Sequence, residues 1–117
     1  MSFKPKVALS NDFLLQLAKL PAKVHTKVMK WAIQLQADPK SPGINYENIN
    51  GARDPNLKSV RLDGDWRGIV FKPSAGDVYV LLYVDHHDDA YRWAENRKLT
   101  INPVTGAMQM LTFESVT

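Results

Sequence analysis

The stretch 57-LKSVRLDGDWRGIVFKPSAGDVYVLLYVD-85 decides the fold of this chain. It holds three runs rich in β-branched and aromatic residues, separated by two turn signals. Asp63 and Gly64 stand between the first two runs, and a tight two-residue hairpin turn needs positive φ, which glycine supplies without strain. Pro73 to Asp77 makes the second turn. The third run is apolar on both alternating faces, as a strand covered on both sides must be. An antiparallel meander of three strands is expected.

Upstream, the hydrophobic period changes from two to 3.6. In "DFLLQLAKL", Phe13, Leu14, Leu17 and Leu20 fall at helical spacing, and Ser10, Asn11 or Asp12 can cap that helix through a side-chain oxygen. Pro21 breaks it and suits the first turn of the next one. Val24, Val28, Trp31 and Leu35 then make one apolar stripe, with Lys23, Lys27 and Lys30 on the adjoining face. Two antiparallel helices follow, preceded by a short strand at Lys6 to Ser10. Residues 38–56, rich in Pro, Gly and Asn, read as a long irregular connection. The fold class is therefore α+β: a four-stranded antiparallel sheet, made of the N-terminal strand and the meander, with the helical hairpin packed on one face. A short helix over about Asp88 to Arg97 and a tail close the chain, the tail with a turn at Pro103 to Gly106 between two extended pieces. The last four residues, "ESVT", carry no stop signal.

At 117 residues and 44% hydrophobic, the chain is long enough for one domain with a single core and no staple. It divides into 1–43 (strand and helical hairpin), 57–97 (meander and short helix) and a tail at 98–117. The absence of cysteine excludes disulfides, zinc-thiolate sites and thiol nucleophiles. No run approaches the roughly 20 apolar residues that span a bilayer, and the first ten residues lack a signal-peptide core. A cytoplasmic protein without membrane contact is expected. Charge is uneven: residues 1–43 hold seven lysines against two aspartates, and residues 44–117 hold eight basic against ten acidic residues. A lysine-rich half suits a polyanion, although such a face is also simply well solvated. Five of the eight later basic residues are arginines, whose planar fork suits phosphate.

With an even loop at Asp63 and Gly64, Arg67 shares a face with Lys58 and Val60, and Arg61 points the other way with Trp66. Lys58 and Arg67 then meet one phosphate, or serve only as a solvated pair. His86 and His87 sit where the third strand gives way to a helix, and Tyr91 stands four residues after His87. Histidine exchanges protons near neutral pH. An imidazole, a phosphate-gripping cation and a tyrosine suffice for RNA cleavage in which the ribose 2′-hydroxyl attacks the adjacent phosphate, a reaction that calls on no cofactor. The same residues also suit a capped helix start. A metal site within Asp85 to Asp89 is disfavoured, because consecutive residues do not readily converge on one ion.

The ordered set "LAKLPAKVHTKV", "NINGARDPNLKSVRLDGDWRGIVFK" and "YVDHHDDAYRWA" resembles the RelE/ParE toxin superfamily of toxin-antitoxin systems over roughly Val7 to Arg97. The resemblance implies an mRNA endoribonuclease acting on RNA in the ribosome, or a gyrase poison, with an antitoxin as partner. It implies Arg67 on phosphate, Lys58 beside it, His87 at the arginine-or-histidine position after the last strand, His86 or His87 as the proton-transfer group, and Tyr91 on base or ribose. Arg53, Arg61, Lys23, Lys27 and Lys30 complete the expected nucleic-acid contacts. Val60 departs from the pattern, since some members carry a second lysine there, and "HHDDAY" is acidic where toxins are basic. "SPGINYENINGARDPNLKSVRLDGDWRGIV", "VDHHDDAYRWAENR" and "INPVTGAMQ" are further similar to the RelE-like domain at the N-terminus of UvrD/Rep-type superfamily I helicases. That likeness implies a helicase fused C-terminally and a recognition module that does not cut. No G-x-x-x-x-G-K-[ST] phosphate loop occurs, so any motor lies outside this chain.

Overall fold

The computed structural model describes residues 5–102 and 104–113. The meander is present as β3 (Leu57–Asp63), β4 (Trp66–Phe71) and β5 (Val78–His86), all antiparallel. Before it come β1 (Lys6–Leu9), α1 (Asn11–Leu17), α2 (Ala22–Ala37) and β2 (Tyr46–Asn48). After it come α3 (His87–Glu95) and a separate two-stranded hairpin, β6 (Arg97–Ile101) with β7 (Met108–Thr112). The expected turn at Pro103 to Gly106 coincides with the β6–β7 connection, where Asn102 Oδ1 accepts from the amides of Val104 and Thr105; Pro103 and "ESVT" lie outside the described residues.

The sheet has five strands in the order β1-β5-β4-β3-β2 and is mixed, which corrects the expected four-stranded antiparallel sheet. β1 runs parallel to β5, with Lys6 opposite Val78 and Leu9 opposite Leu81. The reason lies at its end: Ser10 caps α1 by accepting from the Phe13 amide at 3.1 Å, while its own hydroxyl donates to the Leu82 carbonyl at 2.9 Å. α1 thus starts from the middle of β5, and only a parallel β1 delivers the chain there. β2, three residues long, arises inside the stretch read as irregular, because Tyr46 pairs with Val60 and its hydroxyl donates to the Pro39 carbonyl at 2.7 Å.

Two bulges set the facing of the site. Asp63 pairs with Trp66 but Arg61 pairs with Arg67, so Leu62 is an extra residue, and the tight loop is Gly64-Asp65, with φ +39° at Gly64. The second extra residue is Leu82, between the Ile69–Tyr83 and Val70–Leu81 pairs. A bulge shifts parity by one residue, and everything beyond it changes face.

Instead of one core, the sheet separates two. On one side, the stripe Val24, Val28, Trp31 and Leu35 packs with Phe13 against Val60, Val70, Leu81 and Val84. On the other, α3 lays Ala90, Trp93 and Ala94 against Leu57, Ile69, Phe71 and Leu82. β4 carries Gly68 under α2 because the Trp31 ring lies so close that a Cβ there would stand 2.4 Å from its Cζ3. Asp54 ties the tail to the body from a buried position: its Oδ2 accepts from the Leu99 amide at 3.0 Å and its Oδ1 from the Asn56 amide at 2.9 Å.

Candidate active site

The α3 side of the sheet carries the candidate chemistry. Alternation along β3 and the register with β4 put Ser59, Arg61 and Arg67 on this face, with Asp85 of β5 opposite Arg67. α3 lies over it and brings in His87 and Tyr91. Tyr91 Oη and Ser59 Oγ share a hydrogen bond of 2.8 Å, and the His87 ring stacks on Tyr91 with centroids 4.2 Å apart. His87 Nδ1 lies 3.0 Å from Asp88 Oδ1, which leaves Nε2 as its second nitrogen for proton exchange.

Arg67 is half-buried. One terminal nitrogen donates to the carbonyls of Gly64 at 2.8 Å and Trp66 at 3.0 Å. Its Nε–H is buried and meets no acceptor among the described residues, and no carboxylate there lies within ion-pair distance. The obvious partner is occupied elsewhere: Asp85 accepts from Tyr83 Oη at 3.2 Å, from Gln16 Nε2 at 3.4 Å and from the His86 amide at 2.8 Å. Burial, and then the charge of Asp85, raises the Tyr83 pKa above its ordinary value, so Tyr83 stays a phenol that donates to Asp85. Tyr83 also stacks on Trp93 at 4.5 Å, which fixes α3 against the sheet. The result is a guanidinium held by neutral carbonyls with its charge uncancelled, on the face that carries His87 and Tyr91.

The expected residues separate into two groups. His86 leaves this face: it pairs with Trp66, their rings lie 4.0 Å apart, and its Nδ1 is 3.0 Å from Asp65 Oδ2. Lys58 also lies on the opposite face from Arg67, where its Nζ donates to Asn48 Oδ1. This corrects the expected Lys58–Arg67 pair, and the bulge at Leu62 is the cause, since it moves Arg67 into line with Ser59 and Arg61. Arg61 accordingly joins Arg67 and not Trp66. Lys23 and Lys27 each lie 3.6 Å from the Asp63 carboxylate on the α2 side, and Lys30 stands beside them. Arg53, between β2 and β3, stacks on Phe113 of the tail at 4.8 Å. Ser59 escaped notice in the sequence; its only signal there is its place two residues before Arg61 in a strand.

No family model and no curated protein matches the sequence. Solved structures do match the fold. The chain is similar to RelE in the archaeal RelE-RelB complex from Pyrococcus horikoshii OT3, with 20% identity and a TM-score of 0.57 over 73% of this chain and 97% of that one. The E. coli DinJ-YafQ toxin-antitoxin complex matches with 14% identity and a TM-score of 0.59, covering 74% of this chain and 97% of the other. Free E. coli RelE, as a double mutant, matches with 14% identity and a TM-score of 0.57 over 80% and 94%. With these neighbours covered over 94–97% of their own length at TM-scores of 0.57–0.59, the chain has the RelE-like toxin fold.

Proposed function

We propose that this chain is a RelE-like toxin domain that cleaves RNA endonucleolytically without a metal ion. The observation that carries the reading is Arg67, a half-buried guanidinium with an orphaned Nε–H and no carboxylate partner among the described residues. Such a group is costly to hold unless an anion meets it, and a bridging phosphate answers both its charge and its planar geometry. His87 and Tyr91 on the same face supply what remains. The His87 imidazole takes the proton from the ribose 2′-hydroxyl as that oxygen bonds to phosphorus. The bond from phosphorus to the 5′-oxygen breaks, and the leaving oxygen takes a proton from water at the exposed rim. Arg67 offsets the charge that builds on the phosphate oxygens, and the Tyr91 ring stacks on a base or ribose. Messenger RNA, free or on the ribosome, is the proposed substrate, the cytoplasm the proposed location, and an antitoxin the proposed partner, as in the RelE-RelB and DinJ-YafQ complexes.

A second reading has one observation in its favour: the toxin neighbours leave about a quarter of this chain unmatched. Residues beyond those the toxin neighbours match fit a recognition domain attached to a superfamily I helicase, holding nucleic acid without cutting it. Cleavage of a defined mRNA in EDTA, free and in a ribosomal A site, separates the two. The enzyme gives cuts that disappear in Arg67→Ala and His87→Ala and persist in His86→Ala. Intact RNA with binding retained by the parent and by both histidine variants establishes the recognition domain instead.

A further inference from the structure

A second basic feature lies outside the Arg67 face. β2 stops pairing at Tyr46–Val60, so among the described residues no strand lies on the outer side of β3 from Arg61 to Asp63. Between that open edge and α2 is a cleft of about 280 Å³, lined among others by Lys27, Lys30, Trp31 and Arg61. Lys30 and Arg61 form no ion pair among the described residues, while Lys27 shares the single carboxylate of Asp63 with Lys23. The cleft therefore keeps a net positive charge and presents donors. Trp31 adds a second, independent sign. Its six-membered ring abuts Gly68, and its indole Nε1–H is buried without an acceptor among the described residues. A buried donor left unmade is unfavourable by about 1–3 kcal/mol, and an acceptor oxygen entering the cleft relieves it.

We infer that this cleft binds a phosphodiester of single-stranded RNA, as a second phosphate site on the strand that enters the Arg67 face. The inference rests on the proposed ribonuclease reading. Arg61 links the two places, because it faces the same side as Arg67 and yet lines the cleft at the bulged free edge of β3. An RNA strand crossing that edge passes from one cation to the next, and the lysines of α2 receive its backbone. A backbone phosphate is favoured over an acidic peptide because the charged groups offered are all cations, and the apolar residues that also line the cleft, Ile44, Val60 and Leu62, belong to the α2-side core.

The test follows the indole ¹⁵N–¹H resonance of Trp31, assigned by its loss in Trp31→Phe, during titration with a 2′-O-methyl oligonucleotide that cannot be cleaved. The resonance should shift saturably in the parent and in Arg67→Ala, and should stay fixed in Lys30→Ala/Arg61→Ala, whose two exposed side chains are removable without touching the core. The double variant should also reduce the salt dependence of binding, with the slope of log K against log salt falling by about 1.4 for two lost contacts to a single strand. A silent Trp31 resonance with RNA bound overturns the cleft and leaves the ribonuclease reading intact; a shifted resonance without any RNA cleavage supports the cleft and overturns that reading. Saturation by inorganic phosphate at equal concentration, or by a polyglutamate peptide in place of the oligonucleotide, overturns the RNA assignment.

Discussion

Replacing Tyr91 by phenylalanine separates its structural role from its chemical one. Ser59 is completely buried, and its hydroxyl meets Tyr91 Oη at 2.8 Å across 32 residues of sequence. Removing the phenol oxygen leaves a hydroxyl with no access to water, at a cost of about 1–3 kcal/mol. Ser59→Ala removes the other end. Tyr91 is only half-buried, so that change should cost about 0.5–1.5 kcal/mol, the net worth of an ordinary hydrogen bond. In the double variant neither orphan remains. Its loss should stay near 1 kcal/mol, well below the sum of the singles, which gives a coupling energy of about 2 kcal/mol in a double-mutant cycle. Urea denaturation monitored by tryptophan fluorescence measures all four proteins, and each kcal/mol corresponds to roughly 4 °C in Tm for a chain of this length. RNA cleavage should survive Tyr91→Phe, because the ring and its stack on His87 remain, and should fail in Tyr91→Ala. A Tyr91→Phe variant within about 0.5 kcal/mol of the parent, or strictly additive changes, would refute the reasoning that the buried Ser59 hydroxyl depends on Tyr91 for its partner.

Three further outcomes are expected. Gly68→Ala places a methyl 2.4 Å from Trp31 Cζ3, where carbons in contact sit about 3.5–4.0 Å apart; the ring must withdraw by about 1 Å, at about 1–3 kcal/mol, and Trp31→Leu in the same chain should recover part of it in urea melts. Asp54→Ala strips two backbone amides of a buried carboxylate and should cost about 2–3 kcal/mol, with faster hydrogen exchange at the Leu99 amide as its local sign. The phenols of Tyr46, Tyr79 and Tyr83 are all raised from the ordinary 10.0, chiefly by burial. The native state therefore holds those protons more tightly than the unfolded chain. Their contribution is complete below pH 10 and should be lost as pH rises beyond it; Tyr46→Phe should flatten that alkaline decline in denaturation curves.

The parts of this fold visible in the sequence are those with a strong period. The α2 stripe repeats at helical spacing and is buried at every member, and β5 was apolar on both faces because a core lies on each side of it. What escaped was set by single residues or distant partners. Four residues of β1 carry no mark of direction, and three residues of β2 were hidden among Pro, Gly and Asn. One extra residue, Leu62, moved Arg67 out of line with Lys58 and into line with Ser59, because facing in a strand depends on parity alone. The two histidines, adjacent in sequence, were divided by the end of the strand: His86 keeps the facing of Trp66, while His87 begins a helix and turns to Tyr91.

The parallel pairing of β1 with β5 also governs when the molecule can become whole. Lys6 has to wait for Val78, and the helical hairpin that follows β1 rests on side chains of β3, β4 and β5 that are synthesised later. Closing so long a loop comes late in folding. During translation the first forty residues emerge with an uncovered apolar stripe and no sheet to lie on. A nascent chain halted before Leu81 therefore lacks the strand that docks its N-terminus and, with it, the corner that carries His87 and Tyr91. A truncated product of this gene is poorly folded and chemically empty at once, and whatever this domain does begins only when its last central strand has been made.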